Sequence, residues 1–236
     1  MICDEHVEFF LCAGLYAVFT GLIWALWLFA QSKGAVPSLP VADPQSWHAH
    51  EMIFGYAGAA MGGFFLTAVP NWTNTPAARI TFLTVAAGLW LAGRIAMWFS
   101  GVLPESLVAI IDLTFVPVLS LKIATQLIKR PKMQNMMFLL ILTLLWFGNL
   151  FVHLEWTGQT LDSAQAGLRA GLFALCAMVI VLGGRITPAF TRNAMKREGV
   201  AEAEWPVSVA PLEKAALVLA LDQAPDLRPL NLNAHP

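Results

Sequence analysis

Two histidines and a glutamate crowd one stretch, Trp47-His48-Ala49-His50-Glu51-Met52, at the mouth of an apolar run that continues to Val69. Imidazole nitrogens and carboxylate oxygens are ligands for transition metals. His153 closes another apolar run, so three of the five histidines stand at ends of such runs. No other cluster in the chain gathers as many donors that could hold a metal or a cofactor.

The elements that must position these residues are membrane helices. Hydrophobic residues make up 58% and charged residues 12% of the 236 residues, against roughly 25% charged in soluble domains. Six apolar runs are long enough to cross a bilayer, at about 9–30, 50–70, 80–99, 104–128, 136–154 and 168–188. The expected class is all-α, a polytopic transmembrane helical bundle in residues 1–193. Residues 194–236 follow as a cytoplasmic tail. No barrel-like alternation is visible, and a formal net charge of −1 excludes a nucleic-acid partner. Cys3, Cys12 and Cys176 form no C-x-x-C pair, and the last two lie inside apolar runs, as buried small hydrophobes would. The acidic N-terminus lacks the basic start of a signal peptide, so the first run is a retained span.

Lys129, Arg130 and Lys132 follow the fourth run, and Arg185, Arg192, Lys196 and Arg197 end the sixth. The excess of Lys and Arg marks both segments as cytoplasmic, with Arg79 on the same side and both termini inside. His48, His50, Glu51 and His153 then share the outer face. Trp24, Trp27, Trp47, Trp98 and Trp156 fall at that depth, where an aromatic belt would sit.

Asp43-Pro44 is an N-cap followed by a first-turn proline, so the second helix is expected to begin before His48. On a helix, His48 and His50 point about 200° apart and serve two neighbouring sites, whereas an extended segment would let both grip one ion. Gly55, Gly58, Ala59 and Gly62 follow at small-residue spacing, for close helix packing or close approach of a flat cofactor. Arg94 and Asp112 lie roughly 9–12 Å below the outer ends of neighbouring runs at 1.5 Å per residue. They form an ion pair, or Arg94 faces an anionic cofactor group. Asn149 and His153 share a helix face, so the amide orients the imidazole, unless His153 merely meets interfacial water. Met52, Met61 and Met97 offer thioethers but suit packing better. Pro188 is expected to break the sixth helix.

Trp47-His48-Ala49-His50-Glu51-Met52 to Gly55, then Leu66-Thr67-Ala68-Val69-Pro70-Asn71-Trp72-Thr73, resembles the NnrS family. So do Gly93-Arg94, Asn149-Leu150 to His153-Leu154, and Gly183-Gly184-Arg185-Ile186-Thr187-Pro188-Ala189-Phe190-Thr191-Arg192-Asn193. The matches come in order and cover about residues 8–220. The resemblance implies a bacterial inner-membrane protein containing haem and copper and linked to nitric oxide metabolism and nitrosative stress. Its histidines fall on His48, His50 and His153, for haem or copper. The residues' own positions add Arg94 as a candidate cofactor contact, and Glu51, Asp112 and Asn149 as candidates for supporting partners or an ion pair. The resemblance does not divide the histidines between haem and copper, nor say whether the protein is an enzyme.

Two other readings stand beside it. One is a transporter using Arg94, Asp112 and the interfacial histidines, and the other a cofactor-free membrane assembly subunit. No nucleophile–base pair and no phosphate loop is present. Family members are generally longer, with about twice as many spans. Pro211 to Leu221 begins a seventh apolar segment that stops after about ten residues, half of what a crossing needs. A truncated chain, or a half-size form that self-associates to replace a missing C-terminal half, is the expectation from that segment.

Overall fold

Asp43 and Pro44 start the helix that carries the histidines. Asp43 is extended (φ −139°, ψ 119°), and its side chain accepts a hydrogen bond from the Ser46 amide at 2.7 Å. Pro44 occupies the first turn, where its missing N–H costs nothing. The computed structural model describes residues 7–35, 37–205, 211 and 215, and the described residues contain helices and no strand. In order they are α1 (Val7–Ser32), α2 (Pro44–His50), α3 (Ala57–Thr73), α4 (Ile80–Trp98), α5 (Glu105–Asp112), α6 (Phe115–Leu127), α7 (Met133–Trp156) and α8 (Ala164–Arg197). A π-helical turn, Glu51–Tyr56, joins α2 to α3, and a short 3₁₀ turn occupies Glu202–Glu204.

Six helical stretches among the described residues are long and apolar enough to cross a membrane: Phe9–Ser32, Pro44–Thr73, Ile80–Trp98, Glu105–Leu127, Asn135–Trp156 and Ala164–Arg197. The all-α, six-span expectation therefore holds. One boundary agrees and one moves. The second stretch starts at Pro44, as the Asp43-Pro44 pair leads one to expect, so His48 and His50 lie within the helix although the apolar run itself begins near residue 50. The sixth runs through Pro188 to Arg197, so Pro188 does not break it. The carbonyl that a proline ring crowds is that of the residue four before, here Gly184. Helices in lipid carry prolines more readily than soluble ones. The half-length apolar segment after Pro211 lies outside the described residues, apart from positions 211 and 215.

The fourth stretch is two helices. α5 stops at Asp112 and α6 starts at Phe115. Pro117 explains the break: it has no N–H for the Leu113 carbonyl and its ring crowds that group. The freed carbonyl accepts a hydrogen bond from Trp146 Nε1 at 3.0 Å. Asp112 thus sits at a helix end and not in mid-span.

The chain divides into two compact units, Met1–Leu172 and Phe173–Pro236. In the first, α3 meets α1 and α6 through glycines: a Cβ at Gly62 would stand 3.2 Å from the Phe115 ring and 3.3 Å from Phe9, and one at Gly63 3.1 Å from Phe9. Gly148 of α7 faces Gly167 and Gly171 of α8, where a Cβ at Gly148 would stand 2.8 Å from the Gly167 carbonyl. Small residues at that spacing let membrane helices touch backbone to backbone. The glycines of α3 therefore seat aromatic rings of neighbouring helices. Phe10, Leu11, Leu15, Val18, Leu22, Leu26 and Phe29 of α1 are exposed, as a lipid-facing surface would be. The same reason corrects the cysteines: Cys12 is half-buried and Cys176 exposed, because an apolar run in a membrane faces lipid as well as core. In the second unit, α8 continues to Arg197, and Trp205 Nε1 donates to the Val200 carbonyl at 3.2 Å.

Candidate functional site

The first unit buries a knot of charged and polar side chains that apolar helices would exclude unless each group found a partner. His50 and Glu51 have no exposure, Asp112 3%, Arg94 5%, and Asn149 and His153 2% each. They come from four different places along the chain. α2 delivers His50 in its last turn, the π turn delivers Glu51, α4 delivers Arg94, α5 ends on Asp112, and α7 carries Asn149 and His153 one turn apart.

Arg94 is the hub. Nη1 donates to Glu51 Oε1 at 2.8 Å and Oε2 at 2.7 Å, and Nη2 contacts Asp112 Oδ1. The guanidinium lies over Gly55, where any Cβ would collide with Nη1. The π turn makes this fit. Its widened backbone puts Glu51 and Gly55 toward α4, and the Gly55 carbonyl accepts from Trp90 Nε1 at 2.9 Å. Tyr16 of α1 donates a hydrogen bond to the same Glu51 Oε2.

The histidines divide as the helical spacing requires. His50 Nδ1 lies 2.9 Å from Glu51 Oε1. Its Nε2 lies 2.7 Å from Asn149 Oδ1 and 3.3 Å from Asp112 Oδ2. His153 Nε2 lies 2.9 Å from the same Asp112 oxygen. The two rings meet edge to face, with centroids 5.4 Å apart, and Trp156 packs against both. His48 points elsewhere. It is stacked flat on Trp24 at 4.7 Å, and its Nδ1 is buried without a partner.

Two sequence expectations change here. Asn149 serves His50 and Asp112, not His153: Oδ1 faces His50, and Nδ2 donates to Asp112 Oδ2 at 2.7 Å. Sharing a helix face with His153 placed the amide in the right layer, but the neighbouring helices chose its partners. Trp47 is 2% exposed and packs on Trp98 at 5.2 Å, so it closes the core at this end and is not a belt residue. Two participants were not foreseen, Tyr16 and Trp156. Tyr16 had a signal: it is one of two tyrosines in the chain and a polar group inside the first apolar run.

One nitrogen each from His50 and His153 and one oxygen from Asp112 all lie within 4.8 Å of one another. The two carboxylates of Glu51 and Asp112 face one guanidinium and two imidazoles. A cavity of about 180 Å³ opens against His153, lined by Ser46, Trp47, Met97, Val108 and Trp156, with Asp43 and Glu105 among its polar residues.

The NnrS family model, described as NnrS protein, matches residues 6–227. The chain belongs to the NnrS family. Neither a curated protein nor a solved structure matches it. In this NnrS chain, the two histidines that converge, His50 and His153, lie 103 positions apart, and the family match spans both.

Proposed function

We propose that this NnrS chain holds a metal ion, copper in the first instance, at His50, Asp112 and His153, and that it acts in nitric oxide metabolism or resistance to nitrosative stress. The observation that carries this is the convergence of two imidazoles and a carboxylate inside helices that can span a membrane. The donor set suits the ion: imidazole with carboxylate is a Cu(II)-compatible set. When bound, such an ion supplies one-electron chemistry and a coordination position for a small ligand. The chain's own residues do the rest. Asn149 Nδ2 donates to Asp112 Oδ2 and holds that carboxylate. Glu51 holds the other nitrogen of His50, as outer hydrogen bonds do for metal-bound histidines. Arg94 keeps both carboxylates in place and retains a buried, unpartnered Nε for an anionic ligand group. Trp47 and Trp156 keep water out, and the cavity against His153 admits something small.

Haem fits less well at this knot. The cavity of about 180 Å³ is below the roughly 300–1,000 Å³ of small-molecule sites. His48 is the histidine suited to a haem iron: it lies off the knot and has an unpartnered ring nitrogen. Within this proposal the protein resides in the bacterial inner membrane, with both termini cytoplasmic and the site near the outer face. The transporter alternative is less well supported, because Arg94, Glu51 and Asp112 already satisfy one another.

The test is cofactor content by variant in mild detergent. His50→Ala and His153→Ala should lose the metal and keep any Soret band. His48→Ala should lose the Soret band and keep the metal. A metal content unchanged in both His50 and His153 variants overturns the site.

A further inference from the structure

A second cavity, of about 320 Å³, lies at the turn from α3 into α4 and the end of α6, lined by Thr75, Arg79, Phe82, Lys122, Gln126 and Lys129 among others. Three of those six residues are cations, and none of the residues lining the cavity is acidic. α4 begins here without a side-chain cap, so its first amides, with the positive end of the helix dipole, face outward. Lys122 Nζ sits over the Phe82 ring at 5.5 Å, which holds that charge at the cavity wall.

Gln126 also lines the cavity. The residue is 4% exposed, and its Nε2 donates to the Pro76 carbonyl at 3.0 Å. Its Oε1 is buried with no partner. A buried acceptor left unpaired costs about 1–3 kcal/mol, which a hydroxyl or N–H donor carried by a ligand would relieve.

We propose that this cavity binds the headgroup of an anionic phospholipid, with the phosphate against Arg79, Lys122 and Lys129 and a headgroup hydroxyl donating to Gln126 Oε1. A phosphoglycerol headgroup carries both groups. Free phosphate shares the anion chemistry, but the surroundings favour a lipid. Ile80 (63% exposed), Leu121 (68%) and Ile128 (66%) stand beside the cations in sequence, on helices long and apolar enough to cross a membrane, and acyl chains would lie along them. Basic pockets between membrane helices are established binding places for acidic headgroups.

The experiment uses the full chain in neutral detergent, titrated with phosphatidylglycerol, with phosphatidylcholine, and with inorganic phosphate, and read by native mass spectrometry and melting temperature. Phosphatidylglycerol should stay bound and raise the melting temperature, while the other two should do neither. Lys122→Gln with Lys129→Gln should weaken phosphatidylglycerol binding about fivefold for each charge removed, and Gln126→Leu should weaken it as well. Lys33→Gln, which removes a cation remote from this cavity in sequence, should leave it unchanged. Equal retention of phosphatidylcholine, or equal losses from the Lys33 variant and the double variant, overturns the site. Protection by inorganic phosphate as strong as by phosphatidylglycerol overturns the lipid as its ligand.

Discussion

The Arg94 guanidinium lies against Gly55, so close that a Cβ at position 55 would collide with Nη1 and stand 2.8 Å from Glu51 Oε2. Glycine here suits the ion pairs, because a methyl group at this spot would push the guanidinium from its place between Glu51 and Asp112. Gly55→Ala should therefore destabilise the protein by about 1–3 kcal/mol, the usual range for overpacking. Thermal melting in detergent checks this, and Gly58→Ala is the comparison. A Cβ at Gly58 meets only Phe115, at 3.7 Å, so its melting temperature should barely move.

Arg94 holds two buried carboxylates at once. Replacing it with methionine keeps much of the volume and takes the guanidinium from both carboxylates, a loss of about 3–5 kcal/mol for a broken buried pair. Arg94→Lys should rescue little, since one ammonium cannot span Glu51 and Asp112 as the planar fork does. A chemical or thermal denaturation series in one detergent compares the three proteins. Equal stability of all three would remove Arg94 as the hub.

Asn149→Ala leaves every proposed ligand in place and removes the amide that donates to Asp112 Oδ2. Metal affinity should fall about 10–100-fold, as it does when an outer-shell hydrogen bond is lost. The check is competition against a chelator of known strength, and an unchanged affinity would detach Asn149 from the site.

Tyr16 and Arg94 both donate to Glu51 Oε2. Tyr16→Phe keeps the ring contact with Trp90, now 5.4 Å, and removes only the hydroxyl. Glu51 remains paired, so the loss should fall at the low end of the roughly 1.5–3 kcal/mol for hydrogen bonds to charged groups. Melting temperature is the readout, and the metal content should hold.

The proposed orientation, read from Lys and Arg, puts the loop after α1 outside and the loop after α6 inside. Reporter fusions after Lys33 and after Lys132 should give opposite signals, and equal signals would sink the orientation proposed here.

The amino-acid sequence by itself determined the class, the number of spanning stretches and the start of the helix at Asp43-Pro44. It also supplied the types of donor available at His48, His50, Glu51 and His153. These depend on hydropathy and capping, which act between neighbours along the chain. The fourth run, 104–128, reads as one helix, so the break before Pro117 was not foreseen, although a proline's effect falls on a carbonyl four residues away. Tertiary structure alone decided the partners. Asn149 faces His50, 99 positions away, and not His153, one turn on. His48 turns to Trp24 while His50 turns into the knot. Which face of a helix meets which neighbour depends on rotation and register between helices. In lipid those are set by close packing, through positions such as Gly55, Gly148, Gly167 and Gly171, because apolar surface alone cannot distinguish lipid from another helix.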